Sequence, residues 1–346
     1  MPCSEAERNG HMIENIQYYR NHNCTMYPKI VQIEITNRCP LNCPQCYKDI
    51  LEKDIKFSDF TNIIDECEKM NVGSIMLNGG EPMIHPQIVD MIRYISSKNI
   101  NTYCFLSGVA LNEDKIEKLS DCKICISISL NGINPEINRL SRDGYQNAIN
   151  AINLLKNSSI LWGINWVARH DNIGDFENLI DYAVKQNAKF INVIANKIHG
   201  TELLSPMDKD DYALLKNIIL SRKNVIDIRI ESCFSILSAY MGVRRPQLYK
   251  GCGAGIFVCY VNVDNEYFPC SHLQYPERFS SLSEYWENSK VLKLLRDVRM
   301  KDIEPCRDCI NHLNCRFCKA VSFDTSRDFN VGFQKCPIME TELRGN

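Results

Sequence analysis

The sequence has no apolar run approaching the ~20 residues of a membrane span. No apolar stretch accompanies Glu5, Glu7 and Arg8 to form a secretion signal. Basic charge is not in excess, since 40 Lys and Arg stand against 42 Asp and Glu for a net charge of −2. Surfaces that bind polyanions usually carry a basic surplus, so nucleic acid is not expected as a partner. Neither is a membrane, and the expected location is the cytoplasm. The chain also lacks an internal repeat, a low-complexity tract and a Pro- or Gly-rich linker. Hydrophobic residues make up 45% and charged residues 24%, which excludes a disordered chain. Its 346 residues have room for one large α/β domain of about 200–250 residues and a smaller appendage.

What the chain has in abundance is cysteine, with 18 residues. A chain of this size does not need disulfide staples, and a reducing cytosol does not support them. Clustered cysteines in that setting point to metal or iron–sulfur chemistry. One tight group lies at Cys39, Cys43 and Cys46, and a second set fills residues 252–336.

Between about residues 30 and 230 the pattern alternates strand and helix. Ile30–Thr36 alternates Val31, Ile33 and Ile35 with Gln32, Glu34 and Thr36, the period of a strand. Ser58 stands as an N-cap before the helical stripe Phe60, Ile63, Ile64, Cys67 and Met70. Strands follow at 74–78, 100–107, 123–129, 160–167 and 190–195, each with a helical stretch behind it. Six β-then-α units imply a parallel sheet with right-handed crossovers, either an open doubly wound sheet or a partial barrel. Sheets buried on both faces prefer apolar runs. Here Glu34, Ser127, Ser129, Asn165 and Asn192 lend the strands a polar second face, which favours a barrel around a polar ligand.

The first cysteine group reads Cys39-Pro40-Leu41-Asn42-Cys43-Pro44-Gln45-Cys46-Tyr47, directly after the first strand. Three thiolates in so short a loop can wrap one face of a compact cluster and leave a fourth position open. No fourth Cys or His lies nearby to close a structural zinc site. The segment resembles the signature of the radical SAM superfamily, including the aromatic Tyr47. Gly79-Gly80-Glu81-Pro82, at the end of the second strand, is similar to that family's GGEP motif. Ser129-Leu130-Asn131-Gly132 is similar to its Ser-Leu-Asp-Gly, with Asn131 in place of Asp. The resemblance implies a partial (β/α)6 barrel and a [4Fe–4S] cluster on Cys39, Cys43 and Cys46. It also implies S-adenosylmethionine on the open iron, held by Tyr47, Gly79, Gly80, Glu81, Pro82, Ser129 and Arg142. The implied chemistry is a 5′-deoxyadenosyl radical that abstracts a hydrogen atom from the substrate.

The second cysteine set runs Cys252, Cys259, Cys270, Cys306, Cys309, Cys315, Cys318 and Cys336. On spacing alone, zinc ribbons remain an alternative. Beside the first motif, the set resembles the SPASM domain of radical SAM enzymes, with Asp264–Cys270 similar to that domain's hairpin. Asn265 stands where Gly is usual and tolerates the same positive φ. This resemblance implies a first auxiliary [4Fe–4S] cluster on Cys252, Cys259, Cys270 and Cys318. A second would lie on Cys306, Cys309, Cys315 and Cys336, making three clusters in all. Seven cysteines remain: Cys3, Cys24, Cys67, Cys104, Cys122, Cys125 and Cys233. Cys67 lies on an apolar helix face. Cys104 and Cys233 are either core residues or thiols that quench a radical.

The expected organisation is an N-terminal extension at 1–29, the barrel at 30–235 and the auxiliary domain at 236–346. SPASM enzymes mostly modify ribosomally made peptides by crosslinking, epimerisation, excision or oxidation. Ser271 follows Cys270 where sulfatase maturases carry an Asp base, which disfavours that activity. Two alternatives stay open: radical oxidation or rearrangement of a small molecule such as an aminosugar, and a non-catalytic iron–sulfur electron carrier. A flavodoxin or ferredoxin is the expected reductant. The 29 residues before the first strand are too few for a winged-helix recognition domain. A separate protein is therefore expected to deliver a peptide substrate, or the barrel mouth to bind it directly. Residues 12–27, with Tyr18, Tyr19 and Tyr27, are expected to form a helix packed on the barrel.

Overall fold

The computed structural model describes residues 18–19, 21–48, 51–197, 204–245, 249–304, 306–321, 328–332 and 336–338. Nine strands form one sheet: β1 (Ile30–Thr36), β2 (Ser74–Gly79), β3 (Asn101–Leu106), β4 (Ile124–Ser129), β5 (Leu161–Ala168), β6 (Phe190–Ala195), β7 (Asp227–Ile230), β8 (Val258–Val261) and β9 (Tyr267–Phe268). Their spatial order is β7-β6-β5-β4-β3-β2-β1-β8-β9. Each of β1 to β6 pairs in parallel with its successor. Such pairing needs a long crossover, and helices supply it. They are α1 (Phe57–Lys69), α2 (Ile88–Ser97), α3 (Glu113–Leu119), α4 (Pro135–Arg139), α5 (Tyr145–Leu155), α6 (Phe176–Lys185) and α7 (Lys209–Arg222). The expected open barrel of βα units is the observed architecture.

The sequence periods explain the packing. Val31, Ile33 and Ile35 of β1 are fully buried, as are Phe60, Ile64 and Cys67 of α1 and Met91, Ile92 and Ile95 of α2. All belong to one core that runs through the sheet. Each such side chain contributes roughly 1.5–3 kcal/mol by leaving water. Tyr18 and Tyr27 pack on the same core, and Tyr19 on Ile256 and Phe257. Of the helix expected over 12–27, residues 18–19 and 21–22 are helical and 23–27 are not, while 12–17 and 20 lie outside the described residues.

Two local readings change. Lys56, not Ser58, occupies the N-cap of α1, and no side chain caps that end. Asp59 in the first turn meets the helix dipole instead. The sheet also extends beyond six strands. β7 pairs with β6, and β8 returns from the cysteine-rich part of the chain to pair in parallel with β1. β8 and β9 form the expected antiparallel hairpin, with Asn265 at φ 57° in its turn. Three short helices, α8 (Ser235–Tyr240), α9 (Leu282–Asn288) and α10 (Lys290–Asp297), flank this hairpin in the chain. Tyr285, Trp286 and Leu292 from α9 and α10 enter the barrel core.

Candidate active site

β1 delivers the chain at Thr36 to the loop that carries Cys39, Cys43 and Cys46, all partly exposed. The loop is pinned along its length. Arg38 makes a two-pronged ion pair to Asp54, at 3.0 and 2.6 Å. The Gln45 amide donates to the Ser141 carbonyl at 3.2 Å. The Cys46 amide donates to the Cys43 carbonyl at 3.0 Å. The Asp143 amide donates to Cys43 Sγ at 3.4 Å. Cys39 lies within electrostatic reach of both other thiols.

The glycine pair at the end of β2 lies back to back with this loop. Gly80 N–H donates to the Thr36 carbonyl at 2.8 Å and Glu81 N–H to the Arg38 carbonyl at 2.9 Å. A Cβ on Gly80 would sit 2.1 Å from the Arg38 oxygen, so only glycine permits the approach. Gly79 adopts φ 149°, and its Cβ would meet the Thr36 oxygen at 2.0 Å.

Glu81 is buried, with 1% exposure. Its Oε2 accepts from the Ser107 amide at 2.7 Å and from the Ser107 hydroxyl, and its Oε1 from the Met83 amide at 3.3 Å. Burial nevertheless lifts its pKa to about 7, because desolvation of the anion outweighs those bonds. Pro82 opens the short turn Pro82–Ile84. Arg142 lies within electrostatic reach of Glu81, and its buried Nε has no hydrogen-bond partner among the described residues. An unpartnered buried N–H donor is costly, and a bound carboxylate would satisfy it. Ser129 ends β4, opposite Asn165 of β5.

Cys39, Cys43 and Cys46 are three soft sulfur donors on one loop, the donor type that holds an iron–sulfur cluster. Sulfurs around one tetrahedral zinc stand roughly 3.8 Å apart. Among the described residues, only His170, Asp208 and Asp211 bring three candidate donors within 4.8 Å of one another. Those three lie at the N-terminal end of α7, where Asp208 and Asp211 make a capping box. No three described cysteines approach so closely.

In the C-terminal region, Cys306, Cys309, Cys315 and Cys336 all line one pocket. The Ser235 hydroxyl lies 3.4 Å from Cys315 Sγ. Cys270 lies within electrostatic reach of Cys252 and Cys318, and all three meet in a small apolar cluster. The structure does not bring Cys259 to that group. Cys259 lies on β8 opposite Val31 of β1, fully buried in the barrel core, with Cys67 nearby.

Between the two cysteine regions lies a polar network of which sequence reasoning found only Glu34 and Tyr47. Lys48 Nζ donates to Glu34 Oε1 at 2.6 Å and to the Tyr260 hydroxyl. The Tyr47 ring packs on His272, with centroids 3.8 Å apart. Lys197 Nζ lies 3.2 Å from His272 Nε2. Burial holds the His272 pKa far below its usual value, so the ring is neutral and accepts that bond. No local spacing marks Lys48, Lys197, Tyr260 or His272, because their partners lie up to 212 positions away in the chain.

These features have counterparts in known proteins. Residues 33–183 match the family model of the radical SAM superfamily. That stretch of the chain is a radical SAM domain, built on the open α/β barrel described above. It is 24% identical over 319 residues to the PqqA peptide cyclase of Rhizobium meliloti (strain 1021), covering 85% of this chain and 84% of that one. It is 22% identical over 337 residues to the AdoMet-dependent heme synthase of Methanosarcina barkeri (strain Fusaro / DSM 804), covering 88% and 95%. In three dimensions it resembles Streptococcus suis SuiB bound to S-adenosylmethionine, with a TM-score of 0.79 at 16% identity over 96% of this chain and 83% of that one. SuiB has also been solved bound to its precursor peptide SuiA, with a TM-score of 0.77, 16% identity and coverage of 97% and 82%.

Proposed function

We propose that this chain is a radical SAM peptide maturase that modifies a ribosomally made peptide, with Cys39, Cys43 and Cys46 as ligands of the catalytic [4Fe–4S] cluster. The observation that carries the reading is the docking of the glycine pair onto the cysteine loop, beside the unpartnered Arg142 Nε. The close backbone contact of Gly79 and Gly80 fixes the cysteine loop against the end of β2. Arg142 holds a carboxylate there, and Glu81 orders the end of β3 through Ser107. Ser129 and Tyr47 flank the same mouth. When bound, the cluster and S-adenosylmethionine supply a 5′-deoxyadenosyl radical that removes one hydrogen atom from the substrate.

Substrate enters between the cysteine loop and the auxiliary region. Glu34, held by Lys48, and Asn165, bonded at 2.8 Å by Asn192, orient the target residue, whose reacting hydrogen must be held at contact distance. Two auxiliary clusters, one on Cys306, Cys309, Cys315 and Cys336 and one beside Cys252, Cys270 and Cys318, border that space. The similarity to PqqA peptide cyclase and to peptide-bound SuiB supports a peptide substrate. Similarity to the heme synthase supports a second reading, oxidation of a small molecule.

The test is turnover of S-adenosylmethionine by anaerobically reconstituted protein under a strong reductant, with and without any short peptide found encoded beside the gene. The expected result is 5′-deoxyadenosine together with a mass shift in the peptide. The variant with Cys39, Cys43 and Cys46 all changed to Ala forms neither. Continued 5′-deoxyadenosine formation by that variant overturns the cluster assignment. Turnover of a small alcohol, amine or tetrapyrrole, with no peptide altered, moves the function to the second reading.

A further inference from the structure

We infer that the fourth thiolate of the first auxiliary cluster is Cys233, supplied by the barrel, rather than Cys259. The inference rests on the reading that Cys252, Cys270 and Cys318 carry an iron–sulfur cluster, and it names the side chain that completes their set.

Cys259 is poorly placed for the task. It is locked in the ladder between β8 and β1, opposite Val31. It has 0% exposure and belongs to the barrel core with Val31, Ile33 and Cys67. Cys252 and Cys318 belong to a different, smaller cluster of buried residues. To join them, Cys259 would have to leave the sheet and open a cavity in a packed core.

Cys233 is already there. It sits in the short turn Ser232–Phe234, directly after β7. It packs against the cluster that contains Cys252 and Cys318. Together with Cys318 it lines a cavity walled by Ala168 and Ala195 at the ends of β5 and β6 and by Phe317. It lies within electrostatic reach of Cys318. The segments that carry Cys252 and Cys318 are fixed to each other by hydrogen bonds. The Cys252 amide donates to the Arg316 carbonyl at 2.7 Å, and Arg316 Nε donates back to the Cys252 carbonyl at 2.7 Å. Those two segments therefore approach Cys233 as a unit.

The surroundings also suit ligation. The Cys233 thiol donates to Glu231 Oε2 at 3.1 Å. When sulfur bonds to iron the thiol loses its proton, and this carboxylate is placed to take it. Only a proton moves in that step; the iron–sulfur bond forms from a sulfur lone pair, with no change in electron count. Lys197 lies within electrostatic reach of both Cys233 and Cys318 and offsets the charge of the thiolates. Ligation by Cys233 would tie the auxiliary cluster to the wall of the barrel that faces the substrate cavity.

The test compares wild type with Cys233→Ala, Cys233→Ser and Cys259→Ala, each also in the background with Cys39, Cys43 and Cys46 changed to Ala, so that only auxiliary iron is observed. The readouts are iron content and the electron paramagnetic resonance of the reduced auxiliary clusters, before and after addition of cyanide. For Cys259→Ala with an intact catalytic loop, the expected result is the wild-type complement of roughly 12 irons and an unaltered spectrum. Cys233→Ala is expected either to lose about four irons or to retain them with an open iron whose signal shifts on cyanide. Cys233→Ser, which preserves side-chain volume, is expected to shift that same signal while the second auxiliary signal stays in place as the folding control. Full iron content and a cyanide-insensitive spectrum in Cys233→Ala overturn the inference, as does loss of iron in Cys259→Ala. Wild-type protein with only about four irons would overturn the auxiliary-cluster reading itself.

Discussion

Asn131 shows how one side chain holds several elements at the site. Its amide nitrogen donates to Gln45 Oε1 at 2.9 Å, inside the cysteine loop, and to the Ser141 hydroxyl at 2.8 Å. Its Oδ1 accepts from the Val167 amide at 3.0 Å, and its carbonyl from Trp166 Nε1 at 3.2 Å. An Asp here would keep the acceptor and lose both donated bonds, with its charge set against the Gln45 oxygen. Asn131→Asp is expected to destabilise the chain by about 1–3 kcal/mol, visible as a lower Tm, and to loosen iron binding at the first loop. Glu81 makes a second prediction. Its folded pKa of about 7 lies above the ordinary value of 4.5. Between these values the folded chain holds a proton that the unfolded chain has released. Stability without bound S-adenosylmethionine should therefore fall as pH rises from 4.5 to about 7, and then level off with respect to this group. Glu81→Gln should flatten that part of a Tm-against-pH curve. An unchanged slope would assign the dependence to other groups.

At the scale of elements, the loop after β1 and the glycine turn after β2 act as one unit. Each is irregular, and each satisfies the other's backbone through the bonds to Thr36 and Arg38. Gly80→Ala forces a methyl group into the Arg38 carbonyl. Overpacking of this kind usually costs about 1–3 kcal/mol, and here the strain falls on the segment that presents Cys39. The expected result is a lowered Tm with loss of about four irons, measured by iron assay after reconstitution. Helix α7 offers a milder case. Asp208→Ala removes half of its capping box, and a loss of about 1 kcal/mol is expected by denaturant unfolding.

For the whole molecule, the cysteine-rich region is joined to the barrel rather than appended to it. β8 extends the main sheet beyond β1, and α9 and α10 contribute Trp286 and Leu292 to its core. The pocket around Cys306, Cys309, Cys315 and Cys336 instead has its own small apolar cluster, with Ile303 and Phe317. On the proposed reading, so small a core would lean on a bound cluster for its folding free energy. The Cys306→Ala, Cys309→Ala double variant should lose about four irons. It should also gain protease sensitivity near residue 300 while the barrel's hydrogen-exchange protection persists. Global unfolding of that variant would instead make the two regions a single cooperative unit.

Periodicity and spacing alone determined much of this. Strand β1 and the stripe Phe60, Ile63, Ile64 and Cys67 are legible because alternation and helical repeat express burial directly. The grouping of Cys39, Cys43 and Cys46 on one loop is legible because their spacing is local. Ser58 reads as the cap of α1 although the helix begins before it, since a good capping residue just inside a helix looks the same in a string of letters. Short, half-exposed β7 carries too little apolar contrast to be noticed. Only the tertiary structure paired β8 with β1, which withdrew Cys259 into the core and left Cys233 beside Cys318. Only it joined Lys48 to Glu34 and Tyr260, and Tyr47 to His272. Such contacts depend on which distant segments the sheet order makes neighbours, and sheet order is settled by the burial of the whole core at once.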